Sequence, residues 1–172
     1  MEYNGFSLEQ PKDTNYGIPN LIHVPQMFRE LTAYRLTRGE FGRRERIKNG
    51  IKLEQSGLLN PAQHMINAFQ LIYGNDVLLH SQGIPNNYAI DIIDLFCNEN
   101  DWGIAGCASS GKTFSVAACI VIDWLCAPDC TSTYVASTSL DASEDRLWGK
   151  VCTLYRTAMR NIQAQYLSLI HI

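Results

Sequence analysis

Apolar and polar positions alternate with a helical period along much of the chain. In residues 25–38, Met27, Leu31, Tyr34 and Leu36 recur among charged neighbours at roughly helical spacing, which predicts a first helix. In residues 60–74, Asn60 has the side chain of an N-cap, Pro61 suits the first helical position, and Gly74 marks the stop; Ile66, Phe69 and Ile72 give this helix its apolar side. Residues 88–97 read as a further helix through Ile92, Ile93 and Phe96. Val116, Ala117, Ile120, Val121, Trp124 and Leu125 then mark a buried helix that must end before Pro128. A last helix is expected from near Asp141, whose spacing to Glu144 resembles a capping box, with Leu147, Trp148, Val151, Leu154, Tyr155, Ala158 and Ile162 on its packing face.

Two stretches break the helical period. The run WGIA at 102–105 reads as a short buried strand, and TSTYVAS at 131–137 as a second. The order strand, loop, helix, strand, helix implies a right-handed parallel unit covered by helices on both faces. The fold class expected is therefore α/β, a parallel sheet of which the chain holds the opening. Residues 1–24 are polar and rich in Asn, Pro and Gly and read as a loose arm, and 75–87 read as loop. We see no internal repeat.

The stretch GCASSGKT lies between the first expected strand and the buried helix. It satisfies the pattern G-x-x-x-x-G-K-[ST] at Gly106, Gly111, Lys112 and Thr113. Glycine lets the backbone wrap with positive φ so that successive N–H groups converge on phosphate oxygens, and a helix opening behind the loop adds its positive end. Lys112 supplies a point charge for the β and γ phosphates, and the Thr113 hydroxyl suits Mg²⁺. The candidate ATP-binding residues are Gly106, Cys107, Ala108, Ser109, Ser110, Gly111, Lys112 and Thr113. The other reading is a glycine-rich turn with an incidental lysine. Cys107 is either a thiol activated at the helix end or a small residue that fits.

Composition narrows the class. With 172 residues, 46% hydrophobic and 18% charged, the chain is long enough for a folded core. A net charge of −3 gives no general basic field, but Arg35, Arg38, Arg43, Arg44, Arg46, Lys48 and Lys52 face only Glu40 and Glu45 between them. Any polyanion contact is expected there; a solvated charged helix is the plainer reading. No apolar run is long enough to span a bilayer, so no membrane partner is expected. The six cysteines are expected to be reduced, and the Cys126–Cys130 spacing lacks the second pair a structural zinc site needs.

Beyond the loop, GIAGCASSGKT, IDWLCAPD, TYVASTSL and DRLWGKV together resemble the large terminase subunit of tailed bacteriophages, over about residues 60–160. The upstream helix carrying His64 is similar to the segment that precedes the ATPase sheet in that family. The resemblance implies a P-loop NTPase of the RecA-like (ASCE) kind, preceded by a helical N-terminal region: residues 1–59 an arm and basic helical region, residues 60–172 the start of the ATPase domain. It implies ATP and Mg²⁺ as cofactors and a motor that threads double-stranded DNA into a procapsid. The implied partners are the portal protein, the small terminase subunit and further copies of the motor, in the host cytoplasm and at the portal.

Ser137, Thr138, Ser139 and Arg146 are the candidate DNA or coupling contacts under this resemblance, against ordinary helix-capping or solvated roles. Tyr88 is the candidate for stacking on the base, against a partly buried core tyrosine. Some motors of the family carry an Arg inside the loop; here the interior is Cys107, Ala108, Ser109 and Ser110. Neither an acidic magnesium strand nor the nuclease carboxylates of the family can be found before the last residue. The terminal LSLIHI is expected to interrupt the helical pattern, with native sequence ending near Gln165, so the chain reads as an N-terminal fragment that binds nucleotide and hydrolyses it poorly. The competing readings are another P-loop enzyme, helicase-like or a nucleotide kinase, and a nonenzymatic module gripping DNA or a protein through residues 35–52.

Overall fold

The computed structural model describes residues 25–78, 87–106, 110–136 and 147–170. Among the described residues six α-helices carry the fold: α1 (Gln26–Thr37), α2 (Gly39–Lys48), α3 (Pro61–Tyr73), α4 (Asn87–Asn98), α5 (Lys112–Cys126) and α6 (Gly149–Ile170), with short 3-10 turns at Leu53–Gln55 and Asn75–Leu78.

α3 is the central helix. It begins as its sequence requires: the Asn60 side chain accepts a hydrogen bond from the Gln63 N–H at 2.8 Å, Pro61 follows, and Gly74 closes the last turn. Around it pack α1, α4, α5 and α6. Met65, Phe69 and Ile72 from α3 meet Met27, Leu31 and Tyr34 of α1, Ile93 of α4, Ala118, Cys119 and Ile122 of α5, and Leu154 and Ala158 of α6 in one buried cluster. Two polar side chains of α6 reach back to carbonyls near the end of α3: Asn161 Nδ2 donates to Ile72 O at 2.7 Å and Gln165 Nε2 to Leu71 O at 3.4 Å. These bonds satisfy backbone acceptors that the end of a helix leaves open.

The basic segment after α1 is helical. α2 turns back onto the end of α1, and Gly42 is what lets the two meet. A Cβ at that position would lie 2.6 Å from the carbonyl oxygens of Arg35 and Leu36, closer than packed atoms approach. The positive charges of α2 are largely answered within the helix. Arg43 pairs with Glu40 through both carboxylate oxygens at 2.6 and 2.7 Å, and Arg44 joins at 3.1 Å. These hydrogen bonds hold the Glu40 carboxyl down at about 2. Arg46 donates to the Leu36 carbonyl.

The expected α/β sheet is not formed. The described residues are helical with no strand among them. Residues 102–106 and 131–136 form neither helix nor strand, with Gly103, Ala105 and Gly106 exposed, Trp102 and Ile104 half-buried, and Tyr134 95% exposed. The physical reason lies in what covers what. A parallel pair of short strands is unstable unless both faces are covered and further strands extend it. Here α5 and α6 pack against each other and against α3, so the apolar faces that would have sandwiched a sheet are closed on helices. The RecA-like P-loop architecture is corrected accordingly to an all-helical arrangement. A second expectation fails over the described residues: Leu167 to Ile170 do not interrupt the last helix, since α6 continues through Ile170, while His171 and Ile172 lie outside the described residues. The expected start of that helix near Asp141 lies outside the described residues.

Candidate functional site

The phosphate-loop motif is placed between α4 and α5. Of its residues Gly106, Ser110, Gly111, Lys112 and Thr113 are described; Cys107, Ala108 and Ser109 lie outside the described residues. Gly111 adopts φ +80° as the residue that caps α5, a left-handed conformation that costs side-chain-bearing residues about 1 kcal/mol or more and glycine almost nothing. The first intrahelical bond behind it runs from the Ser115 N–H to the Gly111 carbonyl at 3.0 Å. The fifteen residues of α5 thus begin inside the motif, and their aligned peptide dipoles put a partial positive charge at its mouth.

Lys112 folds over this opening. Its Nζ donates to the Gly106 carbonyl at 2.9 Å and to Ser110 Oγ at 2.9 Å. The ammonium is therefore held between the carbonyl of the motif's first glycine and the hydroxyl of its second serine. A Cβ on Gly106 would sit 3.5 Å from Lys112 Nζ and 3.7 Å from Lys112 Cδ, so the bare glycine leaves the lysine chain room to lie across the backbone. Thr113 is exposed on the first turn of α5, while Ser115 is buried. Chemically the arrangement offers a cation, a helix N-terminus and two hydroxyls to an anion. For a magnesium-bearing phosphate group, Thr113 is the hydroxyl of the right kind on the solvent side. Among the described residues no group of three His, Cys, Asp or Glu side chains could hold a metal on its own.

Tyr88 is 68% exposed on the first turn of α4, which excludes the core-tyrosine reading. The chain leaves α4 for the loop from its opposite end, ten residues and roughly 15 Å further along the helix axis. Among the described residues no contact brings Tyr88 to the motif. Ser137, Thr138, Ser139 and Arg146 lie outside the described residues.

Neither of two cavities lined by described residues includes Gly106 or residues 110–113. One, of about 450 Å³, is an apolar groove between α5 and α6 bounded by Ile120, Trp124, Trp148 and Tyr155. The other, of about 210 Å³, lies between the start of α2 and the end of α5, beside Arg35, Arg38 and Asp123.

Next to that smaller cavity is a polar cluster that periodicity alone does not show. Arg38, at the elbow between α1 and α2, is ion-paired with Asp123 of α5. Tyr34 OH donates to the same carboxylate oxygen at 3.0 Å. Burial, with Cys97 and Asp123 nearby, drives the Tyr34 phenol far above its ordinary value, so it remains a donor at all ordinary pH. The signal available in the sequence is Asp123 itself, the one acid in the otherwise apolar run of α5. Such an acid calls for a partner, but the sequence does not say which.

Comparison with protein-family models, with curated proteins and with solved structures finds no match.

Proposed function

We propose that this chain binds the triphosphate of ATP, with Mg²⁺, at residues 106–113, and that it is the ATP-binding part of a DNA-packaging motor of the terminase large-subunit type. One observation carries the first half: Lys112 Nζ rests on Gly106 O and Ser110 Oγ at the open N-terminus of α5. In this reading the phosphate oxygens replace those two acceptors, and the lysine needs only a short swing to follow them. The loop N–H groups and the helix end take the remaining negative charge. Thr113 ligates Mg²⁺. The motor assignment rests on the sequence resemblance, and with it go double-stranded DNA, the portal protein and the small subunit as partners, at the procapsid portal in the host cytoplasm.

Phosphoryl transfer to water also needs a group that orients the attacking water. The four loop-interior residues, Cys107, Ala108, Ser109 and Ser110, supply neither that group nor an arginine. The chain therefore binds Mg·ATP and turns it over slowly. Titration calorimetry with Mg·ATP tests the reading. Saturable binding is expected, with Lys112→Ala weakening it by about 10- to 100-fold, the loss of one charge-assisted hydrogen bond. Absence of saturable binding by the unaltered chain, or equal affinity in the variant, overturns it.

A further inference from the structure

The approach to the phosphate loop has no sheet to hold it. In an arrangement where residues 102–106 belonged to a strand, ladder hydrogen bonds would fix the position of Gly106. Here the segment belongs to no helix and makes no strand pairing among the described residues. Something else must set where the loop begins, and the geometry points to Arg38.

The Arg38 guanidinium lies over the Phe96 ring, with Cζ 4.6 Å from its centroid. Phe96 in turn meets Trp102 edge to face, centroids 6.2 Å apart at 65°. Trp102 opens this segment and precedes Gly106 by four residues, a reach of at most about 14 Å. On its other side the same guanidinium is ion-paired with Asp123, on the helix that begins at Lys112. Arg38 thus stands between the chain entering the loop and the helix leaving it. We infer that Arg38 is a positioning residue for the phosphate loop, acting on its entry through Phe96 and Trp102 and on its exit through Asp123. This inference rests on the nucleotide-binding reading given above.

The two arms are unequal. α5 is already held by Ala117, Ala118, Cys119, Val121 and Ile122, all buried, so removing the Asp123 pair leaves its seat largely intact. The entry segment has the half-buried Trp102 and Ile104 as its apolar anchors, with Gly103, Ala105 and Gly106 exposed. Arg38 therefore acts mainly on the entry. Arginine suits the task because its planar guanidinium stacks on a ring and pairs with a carboxylate at once; lysine can do only the second well.

The test uses the whole chain with Arg38→Ala, Arg38→Lys and Phe96→Leu. Two measurements are made on each: Mg·ATP affinity, and hydroxyl-radical labelling of the half-buried Trp102 side chain, with amide hydrogen exchange in α3 as the control for general stability. Arg38→Lys and Phe96→Leu are expected to raise Trp102 labelling by about twofold or more and to weaken Mg·ATP binding by about tenfold, with α3 unchanged. Arg38→Ala is expected to do the same. If Arg38→Ala does not fold, the other two variants decide. Trp102 labelling equal to that of the unaltered chain in both overturns the inference, and so does accelerated exchange across α3, which marks a general loss of stability. If the unaltered chain binds no Mg·ATP, the nucleotide reading fails by itself. The Trp102 labelling then still decides whether Arg38 positions the segment.

Discussion

His64 and Glu30 show how much one residue pair can settle. His64 Nε2 accepts the Leu59 N–H at 2.9 Å, so the ring proton sits on Nδ1, which donates to Glu30 Oε2 at 2.8 Å. Both side chains are buried, at 1% and 3% exposure, and they join α1 to α3 where the central core begins. Removing the ring leaves a buried carboxylate without its donor. His64→Ala is therefore expected to cost about 3–5 kcal/mol of stability in chemical denaturation. Glu30→Gln keeps an acceptor oxygen in place and is expected to cost roughly 1.5 kcal/mol or less. A cost for His64→Ala below about 1 kcal/mol would show that the pair does not seat α1. In the sequence, His64 lies within the α3 pattern, but nothing local indicates Glu30 as its partner, because 34 residues separate them. Gly111 and Lys112 are the opposite case, since their spacing in the motif announces both the left-handed cap and the cation.

At the scale of elements, the apolar period located α1, α3, α4 and α5 close to their observed bounds, and the caps of α3 were legible residue by residue. The basic segment after α1 is the helix α2. The close seat of that helix on α1 depends on Gly42. Gly42→Ala is expected to push α2 off the end of α1 and to destabilise the chain by about 1–3 kcal/mol, measured by denaturant titration. An unchanged midpoint would mean that α2 is not packed there. In and beside that seat, three of the basic side chains have partners within the chain. Arg43 and Arg44 are tied to Glu40, and Arg46 is turned onto the Leu36 carbonyl. The strand expectation failed for a reason of element pairing. The runs WGIA and TSTYVAS have strand composition, but a strand exists only where a second strand accepts its hydrogen bonds.

For the molecule as a whole, α3 and the helices around it form one core, and the thiols report on it. Cys97, Cys119 and Cys126 are buried and Cys130 is exposed. Burial pushes the Cys97 thiol up to about 12 and holds Cys119 and Cys126 well above the ordinary thiol range. The thiolate is the reactive form, so maleimide at neutral pH is expected to label Cys130 at least about a hundredfold faster than these three, with the difference lost in denaturant. Labelling of Cys119 as fast as Cys130 would show that α5 opens locally while the fold persists. The sequence by itself determined the helical periods, the caps of α3 and the loop motif that opens α5, because each depends on residues within a turn or two of one another. Only the tertiary structure decided that the helices would close on each other without a sheet, that His64 would meet Glu30, and that Arg38 would reach Asp123 across 85 residues. Those outcomes depend on which faces compete for burial, and that competition is settled only when all the helices are packed together.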